Sequence, residues 1–188
     1  MLTALILAAG ASTRLGQPKQ LVDLNGHALI NHTIQLAKTV SSSVVVITGA
    51  KADQVAAVIA KDVPIVHANN WQQGMGSSLK QGIQSLPATS SACLVMTCDQ
   101  WRLTGHDLQQ LADTYYAQPE RSVASFYANT MGIPAIFPRH AFSALQACDD
   151  QGAKSVLIAQ QPITVSLPNA AYDLDTATDL SALKQSQV

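Results

Sequence analysis

Leu7-Ala8-Ala9-Gly10-Ala11-Ser12-Thr13-Arg14-Leu15-Gly16-Gln17-Pro18-Lys19 follows an apolar run with small residues and sets two cations in one loop. Small residues let backbone N–H groups approach a phosphate chain without side-chain obstruction. Arg14 and Lys19 add the charge to neutralise it. The spacing is not that of a Walker A loop, because five residues separate Gly10 from Gly16 and no Ser or Thr follows Lys19. Nor is it the G-x-G-x-x-G fingerprint. The competing reading is an ordinary strand-to-helix turn with solvated charges. Further along, Asn70-Trp71-Gln72-Gln73-Gly74-Met75-Gly76-Ser77-Ser78-Leu79 puts glycines and serines at a helix start, where exposed N–H groups bind anions and polar caps read a base edge. Cys98-Asp99-Gln100 offers a carboxylate at a strand end, a natural Mg2+ ligand beside a phosphate loop. Asp173-Leu174-Asp175-Thr176 puts two aspartates on one face of an extended segment, while Thr176 and Asp179 also suit the cap of a closing helix. For Asp175, capping and metal binding both remain open.

Other chemistries find little support. The histidines at 27, 32, 67, 106 and 140 show no metal-ligand spacing, and no G-x-S-x-G elbow occurs. The cysteines at 93, 98 and 148 lack C-x-x-C spacing and read as reduced core thiols. Trp71 and Trp101 each adjoin a motif, as pocket walls or as packing.

These residues must be positioned by a chain of 188 residues, the size of one domain, expected to run over 1–188. Hydrophobic residues make up 47% and charged ones 12%, so a sizeable core is available. Eleven Lys and Arg against 12 Asp and Glu give a net charge of −1, without the basic excess of a general nucleic-acid binder. No apolar run approaches the ~20 residues of a membrane span. Leu2 to Ala9 has no preceding Lys or Arg, which argues against a signal peptide and for a cytoplasmic protein.

The apolar pattern predicts strands at Leu5–Leu7, Ser43–Thr48, Val63–His67, Cys93–Thr97, Val123–Tyr127, Pro134–Phe137 and Ile163–Leu167. Helical spacing falls at residues 28–40, 54–60, 77–86, 104–116, 140–147, 152–159 and 176–184. This alternation calls for crossovers and a largely parallel, doubly wound α/β sheet of Rossmann-like type. Ligands sit beyond the carboxyl ends of such strands, where the polar stretches fall.

Leu7-Ala-Ala-Gly…Arg14…Pro18-Lys19 resembles the signature of sugar-nucleotide and cofactor nucleotidyltransferases. Gly74-Met-Gly-Ser-Ser-Leu79, Asp99-Gln100, Gly132-Ile-Pro-Ala-Ile-Phe137, Asp150-Gln-Gly-Ala-Lys154 and Asp173-Leu-Asp-Thr176 narrow the resemblance to the molybdenum cofactor cytidylyltransferase branch. It implies a single nucleotidyltransferase domain that moves CMP from CTP to molybdenum-bound molybdopterin and releases pyrophosphate, with Mg2+ as cofactor. It also implies a client molybdoenzyme or that enzyme's chaperone as partner, and no nucleic acid or membrane. By the same resemblance, the backbone of Ala8, Ala9 and Gly10 holds base and ribose, Ser78 contacts the base, and Leu7, Gly74 and Ser77 complete the nucleotide-binding set. Arg14 and Lys19 neutralise the triphosphate; with Asp99 they form the catalytic set. Asp99 and Asp175 hold the metal. Trp101, Gly132, Pro134, Asp150 and Lys154 belong to the acceptor pocket. Departures from the family pattern cluster on that side: Trp101 stands in place of Pro, Asp149-Asp150 in place of Gly-Asp, and Ala128-Asn129 where Gly is frequent. Alternatives are guanylyl transfer, another phosphorylated acceptor, or a non-catalytic nucleotide-binding cofactor chaperone.

Overall fold

The computed structural model describes residues 1–148 and 152–187. Its strands are β1 (Leu2–Ala8), β2 (Asp23–Leu24), β3 (His27–Ala28), β4 (Ser43–Thr48), β5 (Ile65–His67), β6 (Ala92–Thr97), β7 (Val123–Tyr127), β8 (Thr130–Pro138) and β9 (Ile163–Ser166). The helices are α1 (Leu29–Lys38), α2 (Ala52–Val58), α3 (Met75–Ser85), α4 (Gly105–Ala117), α5 (Phe142–Ala147), α6 (Ala153–Gln160) and α7 (Ala177–Gln185). A seven-stranded sheet runs β5-β4-β1-β6-β8-β7-β9. β1 lies parallel to β4 and β6, and β4 to β5; β8 alone runs antiparallel to both its neighbours.

Alternation along the buried strands sends side chains to two cores. From β1, Leu2, Ala4, Ile6 and Ala8 enter the core beneath α1, α2 and α4. Leu5, Leu7 and Ala9 enter the opposite core beneath α3, α5 and α6. β1 is thus apolar on both faces, as a central strand of a sheet wound on both sides requires. A third cluster of Leu15, Val22, Leu24, Leu29, Trp101, Leu174 and Leu183 ties the first loop to the C-terminal helix. Among the described residues no helix is long and apolar enough to cross a membrane.

Two features depart from the sequence expectation. β8 begins at Thr130 rather than Pro134, because Thr130 to Gly132 pair with Tyr127 to Ser125 across a turn at Ala128-Asn129. Both turn residues have positive φ, the conformation of tight hairpins. The β2–β3 hairpin was not expected either, although Asn25-Gly26, both at positive φ, is the usual signal for one. The capping reading of the closing helix holds. The Asp179 carboxylate accepts from Thr176 N at 2.7 Å and from Asp175 N at 3.1 Å, while Thr176 Oγ1 accepts from Asp179 N at 3.3 Å. That box also anchors the backbone of Asp175.

Candidate functional site

A cleft of about 350 Å³ opens at the carboxyl ends of β1 and β6. Leu7, Ala9, Gly10, Ala11 and Lys19 line it from the first loop, Trp71, Gln72, Gly74, Met75 and Ser78 from the second, and Thr97 and Asp99 from β6 and beyond. The first loop follows β1 and Asp99 follows β6, hydrogen-bonded neighbours in the sheet, so Lys19 and Asp99, 80 residues apart in sequence, meet at one end of the cleft.

The first loop is held from behind. Gln20 is 1% exposed, and its Nε2 donates to Ala8 O at 2.8 Å and to Gly10 O at 2.9 Å. The intervening Ala9 O accepts from Ala50 N at 3.0 Å. Gly49 permits that approach, since a Cβ there would lie 2.7 Å from both Ala9 O and Trp71 Cβ. Trp71, half-buried, is seated on this glycine and forms one wall of the cleft. At Gly10 a Cβ would meet nothing within 4 Å, so packing does not demand a glycine there. What it leaves open is backbone access from the cleft.

Charge gathers at one end. Lys19 Nζ donates to Asp99 Oδ2 at 2.6 Å and to Asp175 Oδ1 at 2.7 Å. Arg14 donates to the second Asp175 oxygen at 2.8 Å. The Lys19 and Asp99 side chains are 14% and 16% exposed, whereas Asp175 is 35% and Arg14 73% exposed. Burial alone would lower the Lys19 pKa. The Asp99 charge and the hydrogen bonds to both carboxylates outweigh it and raise the pKa, so the ammonium is kept charged. Asp173 keeps much of its surface in solvent. Even so, the burial its carboxyl does suffer, then the charges of Asp99 and Asp175, push it up to about 6. Burial likewise drives the Cys98 thiol up to about 12, and Cys93 higher still, so neither supplies a thiolate.

The carboxylates suit a divalent cation supplied with phosphate ligands. Among the described residues no three His, Cys, Asp or Glu side chains gather to hold a metal by themselves. Asp99 and Asp175, however, already converge on one positive charge. Small divalent cations commonly take one or two carboxylates with substrate phosphates completing the shell, and Asp99 and Asp175 are the carboxylate part of such a set.

The expected site residues divide. Leu7, Ala9, Gly10, Lys19, Gly74, Ser78 and Asp99 line the cleft. Arg14 and Asp175 join it through the ion pairs. The strand alternation turns the Ala8 side chain into the opposite core, so any role of Ala8 toward the cleft is that of its backbone. Ser77 lines a separate polar groove with Asn69, Asn70 and Lys80. Trp101, expected at the acceptor pocket, is 8% exposed in the third core cluster, with Tyr172 edge-on at 6.3 Å. Its packing role is the one realised: the indole is buried with Leu15 and Leu174 in that cluster. Gly132 makes room for Tyr127, whose hydroxyl would sit 2.8 Å from a Cβ there and donates to Ile133 O at 3.1 Å. Pro134 is buried and Lys154 exposed, and neither lines the cleft; Asp150 lies outside the described residues. Gln20, Gly49, Met75 and Thr97 were not anticipated, and only Gln20's place beside Lys19 hinted at its role.

A single α/β domain with a mostly parallel sheet and a cleft of this composition has the fold of the Rossmann-like nucleotidyltransferases. The chain belongs to the MobA-like NTP transferase family, whose domain matches residues 4–164. It is 33% identical over 118 residues to the bifunctional protein GlmU of Streptomyces avermitilis, covering 60% of this chain and 24% of that protein. The chain thus spans about a quarter of the length of the curated relatives it matches. Rv0371c of Mycobacterium tuberculosis superposes with a TM-score of 0.85 at 24% identity, over 98% of this chain and 97% of that one. The same protein in complex with manganese gives a TM-score of 0.81 at 23% identity, over 98% of both chains. Molybdopterin-guanine dinucleotide biosynthesis protein A of Archaeoglobus fulgidus superposes with a TM-score of 0.73 at 15% identity, over 99% and 98%. At these identities the likeness to solved structures is one of fold.

Proposed function

We propose that this protein transfers CMP from CTP to the terminal phosphate of molybdenum-bound molybdopterin, releasing pyrophosphate. The observation that carries nucleotidyl transfer is Lys19, held at 2.6 and 2.7 Å from Asp99 and Asp175 at the end of a cleft floored by the Gly10 loop. A phosphate monoester has its second pKa near ~6, so at neutral pH it attacks as an anion and needs no general base. A new P–O bond forms at the α-phosphorus as the bond to pyrophosphate breaks in line. Lys19 and Arg14 meet the charge that grows on the leaving group, where preorganised donors have their largest effect. Ser78 and the α3 N-terminus face the base, and Trp71 walls the cleft. Asp99 and Asp175 would hold Mg2+, which supplies neutralisation of phosphate charge when bound.

Ala9 lines the cleft, and a methyl where a glycine would leave open space suits the smaller pyrimidine. The similarity to GlmU favours a second reading: the same chemistry on a sugar phosphate. One experiment separates them. CTP, GTP, UTP and ATP are each combined with molybdenum-loaded molybdopterin, with a sugar 1-phosphate and with no acceptor, and pyrophosphate is followed. Release requiring CTP and the molybdopterin is expected. Release with the sugar phosphate alone would move the acceptor, and no release in any arm would refute nucleotidyl transfer.

A further inference from the structure

Each of the two most buried charged residues of the cleft is followed directly by a glutamine: Lys19 by Gln20 and Asp99 by Gln100. Both glutamines are buried, at 1% and 6% exposure. Both use the amide nitrogen in the same way. Gln20 Nε2 donates to Ala8 O and Gly10 O at 2.8 and 2.9 Å. Gln100 Nε2 donates to Ala170 O and Ile133 O at 2.8 and 3.0 Å. Carbonyl oxygens only accept, so each amide must present its nitrogen inward and its oxygen away. Both Oε1 atoms are left buried without a partner. Among the described residues only three buried side-chain polar atoms are in that position, and these are two of them. A buried polar atom without a partner is rare and needs a reason. Here both sit one residue from a charge of the site.

What the amides join gives the reason. Gln20 closes the turn between the end of β1 and Gly10, fixing the cleft floor relative to Lys19. Gln100 joins β8 at Ile133 to the turn at Ala170, which leads into Asp173 and Asp175. Its backbone also bridges to Asp173, and Leu174 N donates to Asp99 O at 3.0 Å. Gln100 therefore sets the distance between the strand end that carries Asp99 and the segment that carries Asp175. We infer that Gln20 and Gln100 are paired positioning residues: Gln20 aligns the nucleotide loop, and Gln100 aligns the two carboxylates for a divalent cation. This rests on the nucleotidyltransferase reading above and deepens it.

The test is a crossed binding experiment that needs no acceptor. Gln20→Met and Gln100→Met keep the side-chain length and remove the donors. CTP is titrated calorimetrically without metal, and Mn2+ is titrated by electron paramagnetic resonance without nucleotide. Gln20→Met is expected to weaken CTP on the order of tenfold, the loss of about one net hydrogen bond, with Mn2+ affinity unmoved. Gln100→Met is expected to weaken Mn2+ about 10–100-fold, the usual effect of losing a group that orients a metal ligand, with CTP affinity unmoved. A general packing role would lower melting temperature in both without this crossed pattern, and equal losses on both ligands or none would overturn the inference. If wild type binds none of CTP, GTP, UTP or ATP, the nucleotidyltransferase reading falls and the Gln20 assignment with it. Should a Met variant not fold, Gln→Asn, which keeps the amide but withdraws it by one methylene, is held to the same criteria.

Discussion

Lys19→Met separates the two roles of the lysine. Its ammonium lies 2.6 Å from Asp99 and 2.7 Å from Asp175, so removing it leaves two carboxylates facing each other with only Arg14 in partial compensation. Breaking a fully buried pair costs about 3–5 kcal/mol, and an exposed one about 0–1 kcal/mol. With Asp99 at 16% exposure and Asp175 at 35%, the site lies between. Relief of the lysine's own desolvation returns part of the loss. A net destabilisation of about 2 kcal/mol follows, which for a chain of this size lowers Tm by roughly 4–8 °C. The second effect is kinetic: loss of one preorganised charge donor costs about 10²–10³ in kcat. The two effects respond differently to a divalent cation. In Lys19→Met a cation can settle between the carboxylates with no ammonium to displace, so millimolar Mg2+ should raise the variant's Tm by more than it raises the wild type's. Turnover should not return, because the charge that meets the leaving group is still missing. Scanning calorimetry with and without Mg2+, alongside pyrophosphate release, measures both. Wild-type turnover in the variant, or an equal response of both proteins to Mg2+, would refute the reasoning.

Asp99→Asn should abolish turnover while leaving the circular dichroism spectrum unchanged, since it removes a ligand charge from the partly exposed cleft rather than a core contact. Asp173 sets a pH dependence. Its carboxyl is pushed up from 3.8 to about 6, so the folded chain retains a proton that the unfolded chain releases. Stability therefore falls as pH rises from about 4 through about 6, and Asp173→Asn should flatten that slope and stabilise at pH 7.5 by about 1 kcal/mol after allowance for solvent screening, read from denaturant curves. Gly49→Ala places a methyl 2.7 Å from Ala9 O and from Trp71 Cβ, so it should cost about 1–3 kcal/mol and shift the Trp71 fluorescence. Ala9→Gly should narrow a preference of kcat/KM for CTP over GTP without reversing it, because one methyl discriminates by about 1–3 kcal/mol; a wild-type preference for GTP would remove the cytidylyl assignment.

Most of the sheet was legible because its signals are local. Apolar runs mark strands whichever partner they take, and the carboxyl ends of β1 and β6 carry the charged motifs that the sequence offered as chemistry. Lys19, Asp99 and Asp175 could be named because a charge in a low-charge sequence is conspicuous. The supports behind them were not legible. Gln20 is chemically bland until Ala8 O and Gly10 O are seen beside it, and Gln100 acts on residues 33 and 70 positions away in the chain. Gly49 matters because of Trp71, which a loop returns to it. Such contacts are decided by tertiary approach, and no short-range pattern encodes them.

Which residues of each motif turn a side chain to the cleft follows a rule that the sequence did contain. Leu7, Ala8 and Ala9 alternate in a strand, so if Leu7 and Ala9 face the cleft, Ala8 must face the other core. Ser77 and Ser78 are successive in a helix and diverge by about 100°, so only one of them can face the cleft. Trp101 obeys the same logic at larger scale. The chain turns at Asp99, where Trp101 N donates to Asp99 O at 2.9 Å, so a carboxylate directed to the cleft sends the indole two residues later into the core that braces the first loop. A motif names a neighbourhood of the site, and the periodicity of the element carrying it decides which of its residues can touch a substrate. By that rule Leu7, Ala9 and Ser78 are the residues of these motifs whose side chains reach the cleft, opposite the Trp71 wall.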